Sequence, residues 1–297
     1  MEVNEYARAR PSPAMRPYVA FYSGYRQRGI APALHRGLPS PYLTLILTLD
    51  EPLVIAAHPD RRQPPGRYDA LIGGLHLAPA LITHDGRQSG VQVAVHPLGC
   101  RALFGLPAGE LSGLDADFGA VAGDRFVATL RERLCAAATW RERFALLDNA
   151  IARLVRERSA VHPDVAYAYD RLVDSGGEVT VAGLAGEIGW SARHLTNRFR
   201  AEVGLRPKET ARVVRFDRAR RMLYAGVRLG DVAAEAGYFD QAHLNREFHA
   251  LAGLSPTRWM ADEIGFVQVA RAARGQDEWH DRITDTATPG VAHPAGE

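Results

Sequence analysis

The chain has 297 residues, of which 46% are hydrophobic, and carries a formal net charge of +2 at pH 7. This length and composition predict two packed domains and argue against a disordered chain. With only two cysteines, Cys100 and Cys135, a disulfide-stapled secreted scaffold is excluded. No segment approaches the ~20 apolar residues of a membrane span, and no apolar signal core opens the chain, so we expect a cytoplasmic protein without a membrane partner.

Residues 1–158 are predicted to form a β-rich domain. An irregular lead-in covers 1–17, and strand patterns follow over 18–26, 42–49, 53–57, 70–74, 80–84 and 90–96. We expect segment 53–57 to pair with the strand before it, residues 60–68 to form a loop, and Asp85-Gly86 to make a hairpin turn. Strands at this spacing are typical of a sandwich or barrel of about 100 residues.

From about residue 124 the apolar period changes to that of amphipathic helices. These helices are expected to pack on the β-domain or to bridge to another subunit. Residues 159–163 are the predicted linker, and 163–264 the predicted all-α second domain. Residues 265–297 are mostly polar and contain Pro289 and Pro294, which predicts a disordered tail. The expected fold class is therefore α+β.

One pattern occurs twice between residues 184 and 256. Its first half repeats at an offset of 48 residues and its second half at 49, so one residue is inserted near Phe239. A repeat of this length indicates one supersecondary unit built twice. Each copy predicts a helix, a tight turn and a second helix, with turns at Gly189 and Gly237 and N-caps at Ser191 and Asp240.

The second helix of each copy separates into an apolar and a polar face. The outer faces carry Arg193, Thr196, Asn197 and Arg200 in the first copy, and Gln241, Ala242, Asn245, Arg246 and His249 in the second. Arg, Asn and Gln have paired hydrogen-bonding groups that match guanine and adenine edges in the major groove. Any amphipathic surface helix shows such side chains outside, but two copies with matching turns favour DNA recognition.

The segment between the copies adds length and charge. Residues 207–224 predict one helix of roughly 27 Å at 1.5 Å per residue, against the ~34 Å that separates successive major-groove faces. Residues 191–228 hold eleven Arg and Lys against three acids, a net +8 in a chain of +2. Solvated helix surfaces usually mix the signs more evenly, so this basic block indicates phosphate binding.

Residues 163–261 resemble the C-terminal DNA-binding domain of the AraC/XylS family of transcription regulators. The residues that carry the resemblance are Leu184, Ala185, Gly189, Ser191, Arg193, Leu195, Phe199, Gly204, Pro207, Arg215, Ala219 and Leu223, then Val232, Ala233, Gly237, Tyr238, Asp240, Gln241, His243, Leu244, Arg246, Phe248, Gly253, Leu254, Ser255 and Pro256.

The resemblance implies seven helices, two recognition helices and binding in the major groove. By position it implies DNA contacts from Arg193, Thr196, Asn197, Gln241, Ala242, Asn245 and Arg246, to which Arg200 is added from its place on the outer face. Three positions depart from the family pattern. Arg198 stands where an apolar residue is usual, Asn197 where a basic one is common, and His249 where lysine is usual.

The N-terminal half lacks the arm and the metal motif of the cupin-like domain that AraC relatives often carry. Its segment 97–107 instead resembles the variant N-terminal domain of many actinobacterial AraC-type regulators. That resemblance implies no particular ligand. The aromatic residues are candidates for lining an apolar pocket, although core packing is favoured: Tyr18, Phe21, Tyr22, Tyr25 and Tyr42.

Reactive chemistry is only weakly indicated. The histidines of the β-domain, His58, His76, His84 and His96, lack the close spacing of a metal site. Cys100 follows a predicted strand, and the adjacent Arg101 would lower the pKa of its thiol, but a lone cysteine is more often a packed hydrophobe. No nucleophile elbow, phosphate-binding loop or dinucleotide fingerprint occurs, so we predict no catalytic, cofactor or metal site.

Two hypotheses follow. The first is a sequence-specific, effector-responsive transcription regulator that binds double-stranded DNA. Contacts with RNA polymerase, a small-molecule effector and a second copy of the chain are left open. The alternative is a DNA-localised enzyme, or a repair or redox protein, with a reactive Cys100.

Overall fold

The computed structural model describes residues 3–155 and 161–262. Within them the strands are β1 (Val3–Ala9), β2 (Val19–Arg28), β3 (Ala33–Gly37), β4 (Leu43–Thr48), β5 (Leu53–Ala57), β6 (Gly66–Tyr68), β7 (Ala70–Gly73), β8 (Ala80–His84), β9 (Arg87–Val95) and β10 (Asp115–Asp117). The helices are α1 (Cys100–Phe104), α2 (Phe118–Ala122), α3 (Asp124–Ala136), α4 (Trp140–Leu154), α5 (Pro163–Asp174), α6 (Val181–Glu187), α7 (Ala192–Val203), α8 (Pro207–Tyr224), α9 (Leu229–Glu235), α10 (Gln241–Ala252) and α11 (Pro256–Asp262).

The strands form two antiparallel sheets that pack on each other. The larger sheet has the order β1-β2-β9-β4-β7-β10, and the smaller one the order β3-β8-β5-β6. In β4, Leu43, Leu45 and Leu47 are buried in the same core as α3 and α4. Ile46, on the opposite face, packs with Ile55 and the rest of the core between the sheets. This period of two gives three layers: small sheet, large sheet and helices.

Four predictions for the β-rich half are wrong, each for a reason beyond local sequence. The predicted loop 60–68 ends in β6, which pairs with β5. The lead-in is not irregular throughout, because β1 adds to the edge of the large sheet beside β2. Segment 53–57 does form a strand, but it pairs with β6 and β8 rather than with the strand before it. Asp85-Gly86 does reverse the chain, with Gly86 at φ +99°, but β8 and β9 lie in different sheets. A turn signal specifies the reversal and not the partner strand.

The fold class is as predicted. A β-rich N-terminal part with packing helices precedes an all-helical part, in which two helix-turn-helix units are joined by the long helix α8. The helices from α5 to α11 are the seven that the family resemblance implies. The tail 265–297 and residues 159–160 of the predicted linker lie outside the described residues, and the exact domain limits remain predictions.

The buried apolar side chains group unequally across the helical half. One cluster runs from the large sheet and its helices through α5 and α7 into the first half of α8. The second motif has a separate cluster that includes Phe216, Leu244, Phe248 and Trp259. The first helix-turn-helix unit is therefore continuous with the N-terminal core, while the second packs largely on itself.

Candidate nucleic-acid interface

The first motif is built by local chemistry. Helix α6 ends before Gly189, whose φ of +71° makes the turn. The Ser191 hydroxyl then accepts a hydrogen bond from the backbone N–H of His194 at 3.2 Å and caps α7. Leu195 and Phe199 are fully buried, so the opposite face of α7 is turned outward.

The second motif repeats this construction. Gly237 makes the turn at φ +78°, and the Asp240 carboxylate accepts from the backbone N–H of His243 at 2.6 Å to cap α10. Leu244 and Phe248 are fully buried. The internal repeat read from the sequence is therefore a repeat of turn, cap and core contact.

A glycine substitution tests the first turn. A Cβ on Gly189 would meet no atom within 4 Å, so Gly189→Ala isolates the cost of a positive φ and should destabilise the chain by about 1 kcal/mol. Gly186→Ala is the matched control, because its Cβ also meets nothing within 4 Å but lies in helix α6, where alanine is preferred by up to ~1 kcal/mol. Urea denaturation measures both; equal effects of the two substitutions would contradict this account of the turn.

The structure brings most of the predicted DNA contacts to the surface of the second helices. Six are exposed and two, Thr196 and Asn245, are half-buried. The Thr196 hydroxyl donates to the carbonyl oxygen of Ala192 at 2.7 Å, which leaves mainly its methyl group and lone pairs for DNA. The exposed six are Arg193, Asn197, Arg200, Gln241, Ala242 and Arg246.

The arginines divide into those that the fold uses and those that it leaves outward. Among the described residues, no carboxylate lies within 4 Å of Arg193, Arg200 or Arg246, as the ion pairs show. By contrast, Arg212 of α8 bonds Glu247 of α10 at 2.7 Å, and Arg215 donates to the Gly177 carbonyl at 2.7 Å. Arg212 therefore links α8 to α10, and Arg215 links α8 to the segment that follows α5.

Fewer basic side chains are therefore available to bind phosphate than the net charge of +8 over residues 191–228 indicates. Asp217 in α8 is buried and pairs with Arg220 at 2.6 Å and Arg221 at 3.0 Å. Burial opposes ionisation of Asp217, yet these arginines hold the pKa of its carboxyl below the usual value. The outward bases of α8, Lys208 and Arg218, remain exposed.

The C-terminal end of α7 is held by the N-terminal half. Arg101 forms a bidentate salt bridge with Glu202, with N···O distances of 2.9 and 2.8 Å. The Ser112 hydroxyl donates to the Gly204 carbonyl at 2.5 Å. At Gly109 a Cβ would lie 2.2 Å from the Ala201 carbonyl oxygen, so only glycine permits this approach. Movement in the N-terminal half would therefore act directly on α7.

A cavity of about 360 Å³ opens at one end of the sandwich. Its lining includes Tyr25, Arg67, Thr83, Gln88 and Ser89. The Ser89 hydroxyl is buried and has no hydrogen-bond partner among the described residues.

The predicted aromatic set does not gather in that cavity. Only Tyr25 of the five lines it. Tyr22 is buried on the helical side and donates to Asp148 at 2.6 Å, while Phe21 packs edge-on against Tyr42 at 5.9 Å between ring centroids. Core packing is the use of Tyr22, as the sequence favoured.

His58 has a buried partner that no sequence pattern predicted. Its Nδ1 lies 2.7 Å from the Asp115 carboxylate, and the Tyr68 hydroxyl lies 3.4 Å from Nε2. His58 is fully buried and Asp115 is 8% exposed. Gln63 adds two hydrogen bonds to the Asp115 backbone. The two residues are 57 positions apart, so no sequence spacing marked the pair.

Cys100 lies in a setting opposite to the one predicted for a reactive thiol. It opens helix α1 rather than ending a strand, and it is fully buried. Burial raises the pKa of its thiol to about 12, because a thiolate would lose its hydration. The adjacent Arg101 is engaged with Glu202.

Comparison with known proteins gives the two halves separate relatives. Residues 184–262 match a family described as a helix-turn-helix domain, and residues 7–117 match a domain of unknown function, DUF6597. An uncharacterized HTH-type transcriptional regulator, YbfI of Bacillus subtilis (strain 168), is 35% identical over 66 residues, which are 22% of this chain and 24% of the relative. The match spans about a quarter of that relative.

Solved structures confirm the architecture. ToxT from Vibrio cholerae has a TM-score of 0.51 at 9% identity, covering 81% of this chain and 97% of that one. An apo ToxT variant from strain SCE256 has a TM-score of 0.52 at the same identity and coverage. At such low identity the likeness shows the fold alone.

No helix in 3–155 or 161–262 is long and apolar enough to cross a membrane.

Proposed function

We propose, from the premise that residues 184–262 form a helix-turn-helix domain of the AraC type, that this protein is a sequence-specific transcription regulator. It reads two adjacent major-groove segments of double-stranded DNA, one with α7 and one with α10. The observation that carries this is the pair of equivalent, capped second helices with exposed hydrogen-bonding side chains. Helix α8 sets the distance between them.

The proposed contacts follow from side-chain chemistry. Arg193, Arg200 and Arg246 present forked donors for guanine or phosphate, and Asn197, Gln241 and Asn245 match adenine. Ala242 and the Thr196 methyl group offer apolar contacts for thymine. Because no carboxylate of the described residues pairs with the three arginines, DNA would not have to displace an internal partner.

The regulator is proposed to respond to a small molecule in the N-terminal half. The cavity near Ser89 is the site for such an effector, since its volume lies within the usual range for ligand sites. The signal would reach DNA through the contacts of Arg101 and Ser112 with α7. An effector acts only through different affinities for two states, so DNA-bound and free protein should differ in effector affinity.

Two further partners belong to the proposal. RNA polymerase is the expected target of a regulator bound beside a promoter. A second copy of the chain is a partner that α3 and α4 would contact. One chain already carries two recognition helices, so a monomer can engage both segments.

The rival function, a DNA-localised enzyme with a reactive Cys100, is disfavoured by burial. We expect a thiol reagent such as Ellman's reagent to modify exposed Cys135 promptly and Cys100 only after denaturation. The Cys135→Ala variant isolates Cys100. Fast, stoichiometric labelling of that folded variant would support the rival.

Fluorescence anisotropy with DNA from around the protein's own gene tests the proposed function. We expect tight binding that falls steeply with salt and survives excess random DNA. Footprinting should then show two protected segments about one helical turn apart. Binding that is lost equally to any competitor DNA, with no footprint, would contradict a specific regulator.

A further inference from the structure

The second motif contains one residue that the first motif lacks. Gly189 and Gly237 make equivalent turns, and Ser191 and Asp240 are equivalent caps. One residue lies between the first glycine and its cap, and two lie between the second glycine and its cap. The extra residue therefore lies between turn and cap, where Phe239 stands.

Aromatic contacts identify Phe239 as the surplus residue. After the first glycine, Trp190 packs edge-on against His194 at 4.5 Å between ring centroids. After the second, Tyr238 packs edge-on against His243 at 5.3 Å. Both histidines are the third residue of their helices, so Trp190 and Tyr238 correspond, and Phe239 has no counterpart in the first motif.

The surplus side chain points into solvent. Phe239 is 93% exposed, about twice as much as any other exposed large apolar residue of the described chain. A single exposed apolar residue is ordinary on a protein surface, so exposure alone does not indicate a function for Phe239. Its position does indicate one. Phe239 directly precedes the cap of α10, and the N-terminal residues of a recognition helix are those that approach base edges.

We propose that Phe239 is a specificity-determining residue that packs against the 5-methyl group of a thymine at the edge of the segment read by α10. This rests on the proposed function. The thymine methyl is the apolar group that the major groove displays, and phenylalanine is among the side chains that contact it. Gln241 and Arg246 form hydrogen bonds with the polar base edges next to that methyl group. The first motif, without the insertion, makes no such contact.

Selection from random DNA with the full chain supplies the operator for a test. Each thymine in the second segment is then replaced by uracil, which removes only the methyl group. We expect the wild-type chain to lose about fourfold in affinity at one position, the effect of one methyl-sized contact. Phe239→Ala should bind the intact operator about tenfold more weakly and be indifferent to uracil there. Phe239→Leu, still apolar, should retain part of the sensitivity.

Control measurements distinguish a contact with the thymine methyl group from a loss of folding and from a contact with the DNA backbone. Thermal unfolding of Phe239→Ala should match wild type, because the side chain makes little contact with the fold. Equal affinity of Phe239→Ala and wild type would overturn the proposal, and so would an unchanged uracil profile with weaker binding to all DNA, which marks a backbone contact. Failure of the wild-type chain to enrich any sequence would count against the proposed function itself, and this inference would fall with it.

Discussion

Arg246→Ala is expected to weaken binding to the operator by about 5- to 150-fold, which corresponds to ~1–3 kcal/mol. Arg246 is exposed on the outer face of α10, with Phe248 anchoring the opposite face in the core. No carboxylate of the described residues lies within 4 Å of its guanidinium, since the neighbouring Glu247 pairs with Arg212. The guanidinium is therefore available to bond guanine through two donors. Anisotropy with the selected operator and with random DNA measures the effect.

Two controls make the Arg246 result specific. Arg246→Lys keeps the charge and loses the forked geometry, so it should retain binding to random DNA while losing operator preference. Arg133→Ala removes an exposed arginine from α3 and should leave both affinities unchanged. An Arg246→Ala chain with wild-type affinity and wild-type site preference would remove α10 from the proposed interface.

Asp115→Ala is expected to lower the free energy of unfolding by about 3 kcal/mol. The substitution leaves the fully buried His58 without its 2.7 Å partner. A buried polar group that loses its partner has neither water nor protein to bond. The loop between β5 and β6 would lose the His58 contact with β10 but keep the two hydrogen bonds of Gln63 to the backbone of residue 115. Urea denaturation followed by circular dichroism gives the value.

Asp60→Ala is the matched control for Asp115→Ala. Asp60 and Arg62 also approach to 2.7 Å, but the Arg62 side chain is 91% exposed. Water and salt screen such a pair, so its removal should change stability little. If the two substitutions had equal effects, burial would not be the source of the His58–Asp115 contribution.

The helix-turn-helix half was accessible from sequence because its determinants are local. Glycine at a positive φ, a capping side chain three residues before the N–H it bonds, and apolar residues at helical spacing all lie within about a dozen positions. Each copy also checks the other, so Gly189 and Gly237, or Ser191 and Asp240, were identified by comparison within one chain. The β-rich half offered alternation but no partner information, and two of its strand pairings were mispredicted.

The availability of charged and reactive side chains could be decided only from the tertiary structure. Arg212 and Arg246 look alike in the sequence, yet only the packing of α8 against α10 turns Arg212 toward Glu247. Cys100 and Arg101 are neighbours in the chain, but the side chains diverge, one into the core and the other to Glu202. The sequence placed the inserted residue only near Phe239, and the equivalent contacts of Trp190 with His194 and of Tyr238 with His243 identify it as Phe239.

Residue order alone therefore established two capped helical repeats with a polar outer face, because helix periodicity and turn conformation depend on near neighbours. Tertiary structure decided which strands pair, which arginines remain outward and which histidine meets a carboxylate. Those outcomes depend on groups far apart in the chain, such as His58 and Asp115. Their proximity arises only when the burial of many apolar side chains brings distant segments together.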